Sequence, residues 1–394
     1  MEDRRTTPVE LLWDLVFVFA VTQVTTLLAN DLTWAGFARA MLVLALVWWA
    51  WSAFVWATNA QAQNSRTLTL ILLLATVAVF ITGLSLPRAF KSEATLFVVS
   101  YAIVRLLHLV LYADASRRGN AAWSAITGFA ITVVIGMALL IIGSFLSGAP
   151  RYALWAVAVA IDYAGPAWLT RDRLRALQKV AVAHFAERYG LFVIICLGES
   201  IVAIGVAAGV GGARPLSAPL VVEVALGLLI TVGMWWVYFD RFATESEERL
   251  REHADPVIAA ADAYSYLHLV IVAGIIIFAV GVKLLTRGSV TAPLADAPRL
   301  ALTAGVALYL LGQTAAQVRL HGLHSANPAK LAAAAALLVL YAAGGGLPAW
   351  SIAAIAAALI TAVAAFDTAS GHGDQTSDAP ADAPEPSRVV GVSR

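Results

Sequence analysis

The sequence predicts an all-α fold, a polytopic transmembrane helix bundle of about twelve spans in two parallel six-helix repeats. Three observations carry this reading. Of 394 residues, 60% are hydrophobic and only 13% charged, about half the charged share of an ordinary soluble domain, and the mean hydropathy is +0.80. Apolar runs of about twenty residues, the length that crosses the hydrocarbon as a helix, recur along the chain. Segments such as Leu70–Phe80 are apolar on every side, whereas barrel strands would alternate.

The elements follow in order. Residues 1–8 are short and polar and form a cytoplasmic N-terminus. The run that follows is too long for a signal h-region and holds Glu10 and Asp14 in its first turns, so it is read as span 1 (9–29). Span 2 (35–57) carries Trp48-Trp49-Ala50-Trp51, and the run to Trp56 is read as a headgroup belt or as packing against span 8. Spans 3 (68–87), 4 (94–114) and 5 (123–147) are continuous apolar runs, and span 6 (151–170) contains a kink signal at Gly165-Pro166. A basic loop (171–182) leads to spans 7 (183–209), 8 (219–241), 9 (264–286) and 10 (298–318). The alanine-rich runs 331–347 and 349–366, parted only by Gly344–Pro348, form two tilted short spans or a re-entrant pair. Residues 367–394 have no apolar period and are expected to form a disordered cytoplasmic tail.

Lys and Arg in the short loops set the orientation. With the N-terminus inside, 14 positive residues fall at cytoplasmic ends and 8 at outer ends. Both termini are then cytoplasmic. A duplication is suggested by Glu10 with Leu15–Val18 against Glu187 with Leu191–Ile194, by Trp48-Trp49 against Trp235-Trp236, and by Tyr101 against Tyr309. The offsets grow from 177 to 187 to 208, as lengthening loops would produce.

Ionisable residues inside spans are expensive, and so informative. Span 1 has Glu10 and Asp14 on one face. Span 4 has Tyr101, Arg105, His108 and Tyr112 in one stripe, and span 6 has Asp162. Span 7 has His184, Glu187, Arg188 and, near the membrane midplane, Glu199, while span 9 has His268. The candidate polar pathway is therefore Glu10, Asp14, Arg105, His108, Asp162, His184, Glu187, Arg188, Glu199 and His268. All but Glu199 fall in the cytoplasmic half. The carboxylates of spans 1 and 7 are expected to pair with Arg105 and Arg188. Five acids then face two bases, an excess that calls for protons, cations or water. The bland alternative is a set of ion pairs that fix helix register, with Glu10, Asp240 and Asp262 solvated at helix ends. His184 and Glu187 have a spacing that suits a metal, but a His–Glu hydrogen bond explains it more simply.

The composition also excludes function classes. A net charge of +1 offers no field for nucleic acid. The single cysteine, Cys196, rules out a disulfide scaffold, a cysteine zinc site and an iron–sulfur cluster. No P-loop, H-E-x-x-H or G-x-S-x-G is present, and no metal or cofactor is expected.

The run Glu10-Leu11-Leu12-Trp13-Asp14-Leu15-Val16-Phe17-Val18-Phe19-Ala20 resembles the opening motif of the bacterial low temperature requirement A (LtrA) family. His184-Phe185-Ala186-Glu187-Arg188-Tyr189-Gly190-Leu191-Phe192, followed by Leu197-Gly198-Glu199-Ser200-Ile201, resembles its second signature. Trp13 stands where the family usually has another aromatic. The resemblance covers about residues 8–366 and implies a multi-pass protein of the bacterial plasma membrane, linked to growth in the cold. It does not imply an activity. The leading expectation is a proton- or cation-linked transporter or channel for an unknown small solute. The alternatives are a membrane-embedded enzyme acting on a lipid or other apolar substrate, and a structural or sensory protein. Expected partners are the lipid bilayer and a small solute, cation or proton, not nucleic acid, and a homo-oligomer is compatible with the sequence.

Overall fold

The computed structural model describes residues 6–59, 65–118, 123–169, 171, 181–209, 217–288, 290–325 and 327–377. Each of the twelve predicted intervals is occupied by a helix. The first six are α1 (Pro8–Asn30), α2 (Trp34–Asn59), α3 (Arg66–Ser85), α4 (Ala94–Arg117), α5 (Trp123–Ser144) and α6 (Ala149–Ala164). The next are α7 (Val182–Ala207), α8 (Ala218–Val237), α9 with its main run His268–Leu285, α10 (Asp296–His321), α11 (Pro328–Ala343) and α12 (Ala349–Ser377). Among the described residues, ten helices are long and apolar enough to cross a membrane; α5 and α6 are the two outside that group.

Local chemistry sets the ends. Thr7 and Glu10 make a capping box at α1: the Thr7 backbone N–H donates to the Glu10 carboxylate at 2.8 Å, and Glu10 N–H donates to the Thr7 hydroxyl at 3.4 Å. Ser65, Asp255 and Asn327 cap the starts of α3, α9 and α11. Gly322, at φ +92°, turns the chain out of α10 in a conformation that side chains avoid.

Three spans depart from regular α-helix by π turns. α6 continues into Gly165–Leu169, at the predicted Gly-Pro kink. α8 continues through Tyr238–Phe242 into Ala243–Glu252. α9 starts as Pro256–Ala260 and passes through Ala261–Leu267 before its main run. The last two spans are therefore longer than the 219–241 and 264–286 expected. The polar extension of α8 is held by pairs four residues apart, Arg241–Glu245 and Arg251–Glu247. The tail expectation also needs correction, because α12 runs on to Ser377. Thr368 and Ser370 donate to the carbonyls of Ala364 and Phe366, and adding residues to an existing helix is easy. Residues 378–394, Arg4, Arg5, Arg214 and the loop 172–180 with Arg173, Arg175 and Lys179 lie outside the described residues.

In the first half α1 packs on α2 and α3, α3 on α4, α4 on α5, α5 on α6, and α2 on α4 and α6. In the second half α7 packs on α8 and α9, α9 on α10, α10 on α11, α11 on α12, and α8 on α12. The closest crossing is α9 with α10. A Cβ on Gly274 would lie 2.5 Å from the Tyr309 nitrogen, and one on Gly305 2.5 Å from that of Phe278. Without a hydrophobic drive between helices in lipid, such close approach supplies the packing. The halves meet where α1 and α2 pack on α7 and α9. Leu70, Leu74, Val77 and Leu84 project outward from α3, as lipid-facing residues do.

Candidate functional site

Two buried charge clusters lie near the junction of the halves. In the first, the capping residue Glu10 and Asp14, one turn on, present carboxylates from α1 toward α7. Arg188 donates through Nε to Asp14 Oδ2 at 2.8 Å and through Nη2 to Oδ1 at 2.6 Å. This two-pronged geometry suits a guanidinium and a carboxylate. Trp51 of α2 donates its indole N–H to Asp14 Oδ1 at 2.7 Å. Arg188 Nη1 is 3.4 Å from Glu10 Oε1, and His184 Nε2 is also 3.4 Å from the Glu10 carboxylate. Glu10, Asp14, His184 and Arg188 are each at most 1% exposed.

The second cluster is built by α4 and α6. Arg105 Nη2 donates to Asp162 Oδ1 at 2.8 Å. The predicted α4 stripe is real: Tyr101, Arg105, His108 and Tyr112 are all buried. Arg105, His108 and Asp162 face a cavity of ≈ 70 Å³, whose wall also includes Trp49, Ser52 and Trp56 of α2. Both neighbouring π turns reach it, through Pro166 of α6 and Ala261, Ser265 and Tyr266 of α9. Such turns are often found at functional sites, because they re-aim side chains within a helix.

A hydroxyl cluster lies between the two. Ser52 Oγ is 2.7 Å from the Tyr189 hydroxyl and donates to Ser265 Oγ at 3.1 Å. Tyr189 and Ser265 are 3.0 Å apart, and Trp56 donates to Ser265 Oγ at 2.7 Å. Trp48 donates to the Ser265 carbonyl at 2.7 Å. Tyr189 follows Arg188 in sequence, so one turn of α7 touches the first cluster and the cavity wall. Beyond it, His268 is held by the Tyr238 hydroxyl at 2.9 Å and by the Ala263 carbonyl at 2.8 Å. Glu199 stands apart, receiving the Thr22 hydroxyl at 2.5 Å.

Several expectations change. Arg188 pairs with span 1 as expected, but Arg105 pairs with span 6. Glu187 is exposed, in a groove with Tyr238, Phe239 and Glu247. At about 100° per residue it points well away from Arg188, and His184 finds its glutamate in Glu10 across the helix contact and not in Glu187. Glu10 is fully buried, not solvated. Asp262 bridges Arg171 and Arg319, each within 2.8 Å. The tryptophans of α2 form no headgroup belt: Trp48, Trp49 and Trp51 are buried against α6, α7 and α9, while Trp235 and Trp236 are exposed.

Some buried polar groups escaped sequence reasoning. Glu223 is fully buried near the start of α8, with neither carboxylate oxygen partnered among the described residues. Lys330 and Asp367 form a buried pair at 3.5 Å, joined by Asn327 at 2.7 Å. Both acids sit near predicted span ends, where polarity looks ordinary. Ser52, Ser265 and Tyr189 gave no signal because hydroxyls are common in spans.

The family model for the bacterial low temperature requirement A protein (LtrA) matches residues 5–365, and the chain belongs to that family. It is also similar to an uncharacterized protein of Rhizobium meliloti (strain 1021), 33% identical over 279 residues, which cover 69% of this chain and 67% of the relative.

Proposed function

We propose that this low temperature requirement A family member is a proton-linked secondary transporter of the bacterial plasma membrane, with the cavity at Arg105 and Asp162 as its solute site. One observation carries the reading. A buried ion pair and two π turns from different halves of the chain wall the same cavity. Transporters bind solute near the contact of their repeats, where spans lose regular helix. The buried carboxyl groups of Glu10, Asp14, Asp162 and Glu199 give such a protein places to carry protons. The recurring order of neighbours, with α1–α3–α4–α5–α6 matched by α7–α9–α10–α11–α12, supports the duplication we propose.

The Lys and Arg bias supports cytoplasmic termini, and in that orientation the cavity would lie in the cytoplasmic half. Reporter fusions after Arg118 and Arg251 should read cytoplasm, and a fusion at Lys91 the outer side. An external signal at Arg118 overturns this orientation.

The activity itself is read in liposomes containing the purified protein and an internal pH dye. A gradient of the right solute, drawn from a panel of small organic acids and cations, should move protons only in vesicles that contain the protein. If a correctly inserted protein moves protons with none of them, the transport reading fails.

A further inference from the structure

The charges around the cavity narrow the solute. Arg105 is 2% exposed and gives one nitrogen to Asp162. Its Nε and Nη1 have no hydrogen-bond acceptor among the described residues. A guanidinium with unused donors beside a low-dielectric cavity is suited to an anion, and above all to a carboxylate. A cation entering would meet Arg105, with the adjacent carboxylate already engaged. An anion entering alone would leave the cavity one charge negative, so it needs a proton with it.

The ionisable groups around Asp162 and its cavity are Arg105, Tyr101, His108 and Tyr112 from α4, its neighbour Tyr163 on α6, and Tyr266 from α9. α2 and α5 contribute Trp49, Ser52 and Thr132, which carry no charge. Asp162 is the carboxylate that Arg105 would release, and so the natural acceptor of the proton. We infer that the cavity binds a small monocarboxylate on Arg105 together with one proton on Asp162. This rests on the transport reading for its purpose, but not for its geometry. The exchange balances. Arg105 passes from one carboxylate to another, Asp162 becomes the neutral acid, and the net charge of the cavity stays zero. No covalent bond is made or broken except the O–H of Asp162.

Size sets a limit. By the measure in which a water needs ~10–15 Å³, a cavity of ≈ 70 Å³ holds about five waters, room for an acid of about four to six non-hydrogen atoms. The rings of Trp49, Trp56 and Tyr266 in the wall suit a short apolar chain.

The test uses the full-length protein in detergent, with propionate as probe and tetramethylammonium as control. Binding is followed by calorimetry, and proton uptake by a dye in weak buffer. One proton should enter per propionate, and affinity should fall about tenfold per pH unit at high pH, as one coupled proton requires. Asp162→Asn, which mimics the neutral acid, should bind propionate with no proton uptake and no pH dependence. Arg105→Gln should bind about tenfold or more weakly, the loss of a charge-assisted contact, and Arg105→Lys should recover part of it. A folded wild-type protein that ignores propionate, or binds tetramethylammonium instead, overturns the proposal. So does proton uptake that survives in Asp162→Asn, which would move the proton to His108. Binding needs no membrane gradient. Propionate binding without flux would leave this site standing and remove transport; cation flux without propionate binding would do the reverse.

Discussion

Arg188→Leu should destabilise the folded protein by about 3–5 kcal/mol, the cost typical of stranding a buried charge. Its guanidinium makes both short bonds to Asp14 and lies 3.4 Å from Glu10. Removing it leaves two carboxylates one helical turn apart, both fully enclosed. Trp51 and Thr7 each still donate to one of them, and His184 stands beside Glu10, but none of these is a fixed positive charge. The double variant Arg188→Leu/Asp14→Leu should recover part of the loss, because it removes one of the two stranded charges and leaves Glu10 with its capping bonds. Arg188→Lys should fall between them, since an ammonium cannot reproduce the two-pronged contact. Thermal unfolding of the solubilised protein, followed by size-exclusion chromatography, reads all three. Equal stability of Arg188→Leu and wild type, or a double variant no better than the single, rejects this account of the cluster.

The same pair shows what could and could not be read from the chain alone. The spans were legible because each is a local property, about twenty apolar residues in a row. The α4 stripe was legible for the same reason, since Tyr101, Arg105, His108 and Tyr112 share one helix and the helical period decides their common face. Partners were not. Asp14 and Arg188 are 174 positions apart and Arg105 and Asp162 are 57 apart. Which acid meets which base depends on helix rotation and on which spans are neighbours. Glu187 makes the point within one turn: a shift of about 100° separates the buried Arg188 from an exposed carboxylate. The tryptophans of α2 misled for a related reason. An indole N–H serves a headgroup belt or a buried acceptor equally well, and here Trp51 found Asp14 and Trp48 found the carbonyl of a π turn. That turn, and the cavity beside it, left no mark in periodicity.

Glu199→Gln should abolish proton-linked flux while leaving the protein folded, and the reason lies in one hydroxyl. Glu199 sits roughly 23 Å along α7 from His184, at 1.5 Å per residue, and is buried. The Thr22 hydroxyl is 2.5 Å from Glu199 Oε2 and 3.0 Å from the Val18 carbonyl. It has a single hydrogen to give. When Glu199 is ionised, Thr22 turns that hydrogen to the carboxylate. When Glu199 is protonated, the acid donates to Thr22, and Thr22 donates to Val18. Both protonation states are thus satisfied by rotating one O–H, which is what a group that takes and gives a proton in a dry interior requires. Glutamine keeps the second arrangement, its amide donating to Thr22, but carries no proton. Glu199→Gln should therefore insert and unfold like wild type, with proton movement lost at every pH. Glu199→Asp should keep part of the flux, and Thr22→Ser should keep more than Thr22→Val, which removes the rotating group. Wild-type proton flux in Glu199→Gln across several pH values would reduce Glu199 to a packing residue and place the proton path elsewhere.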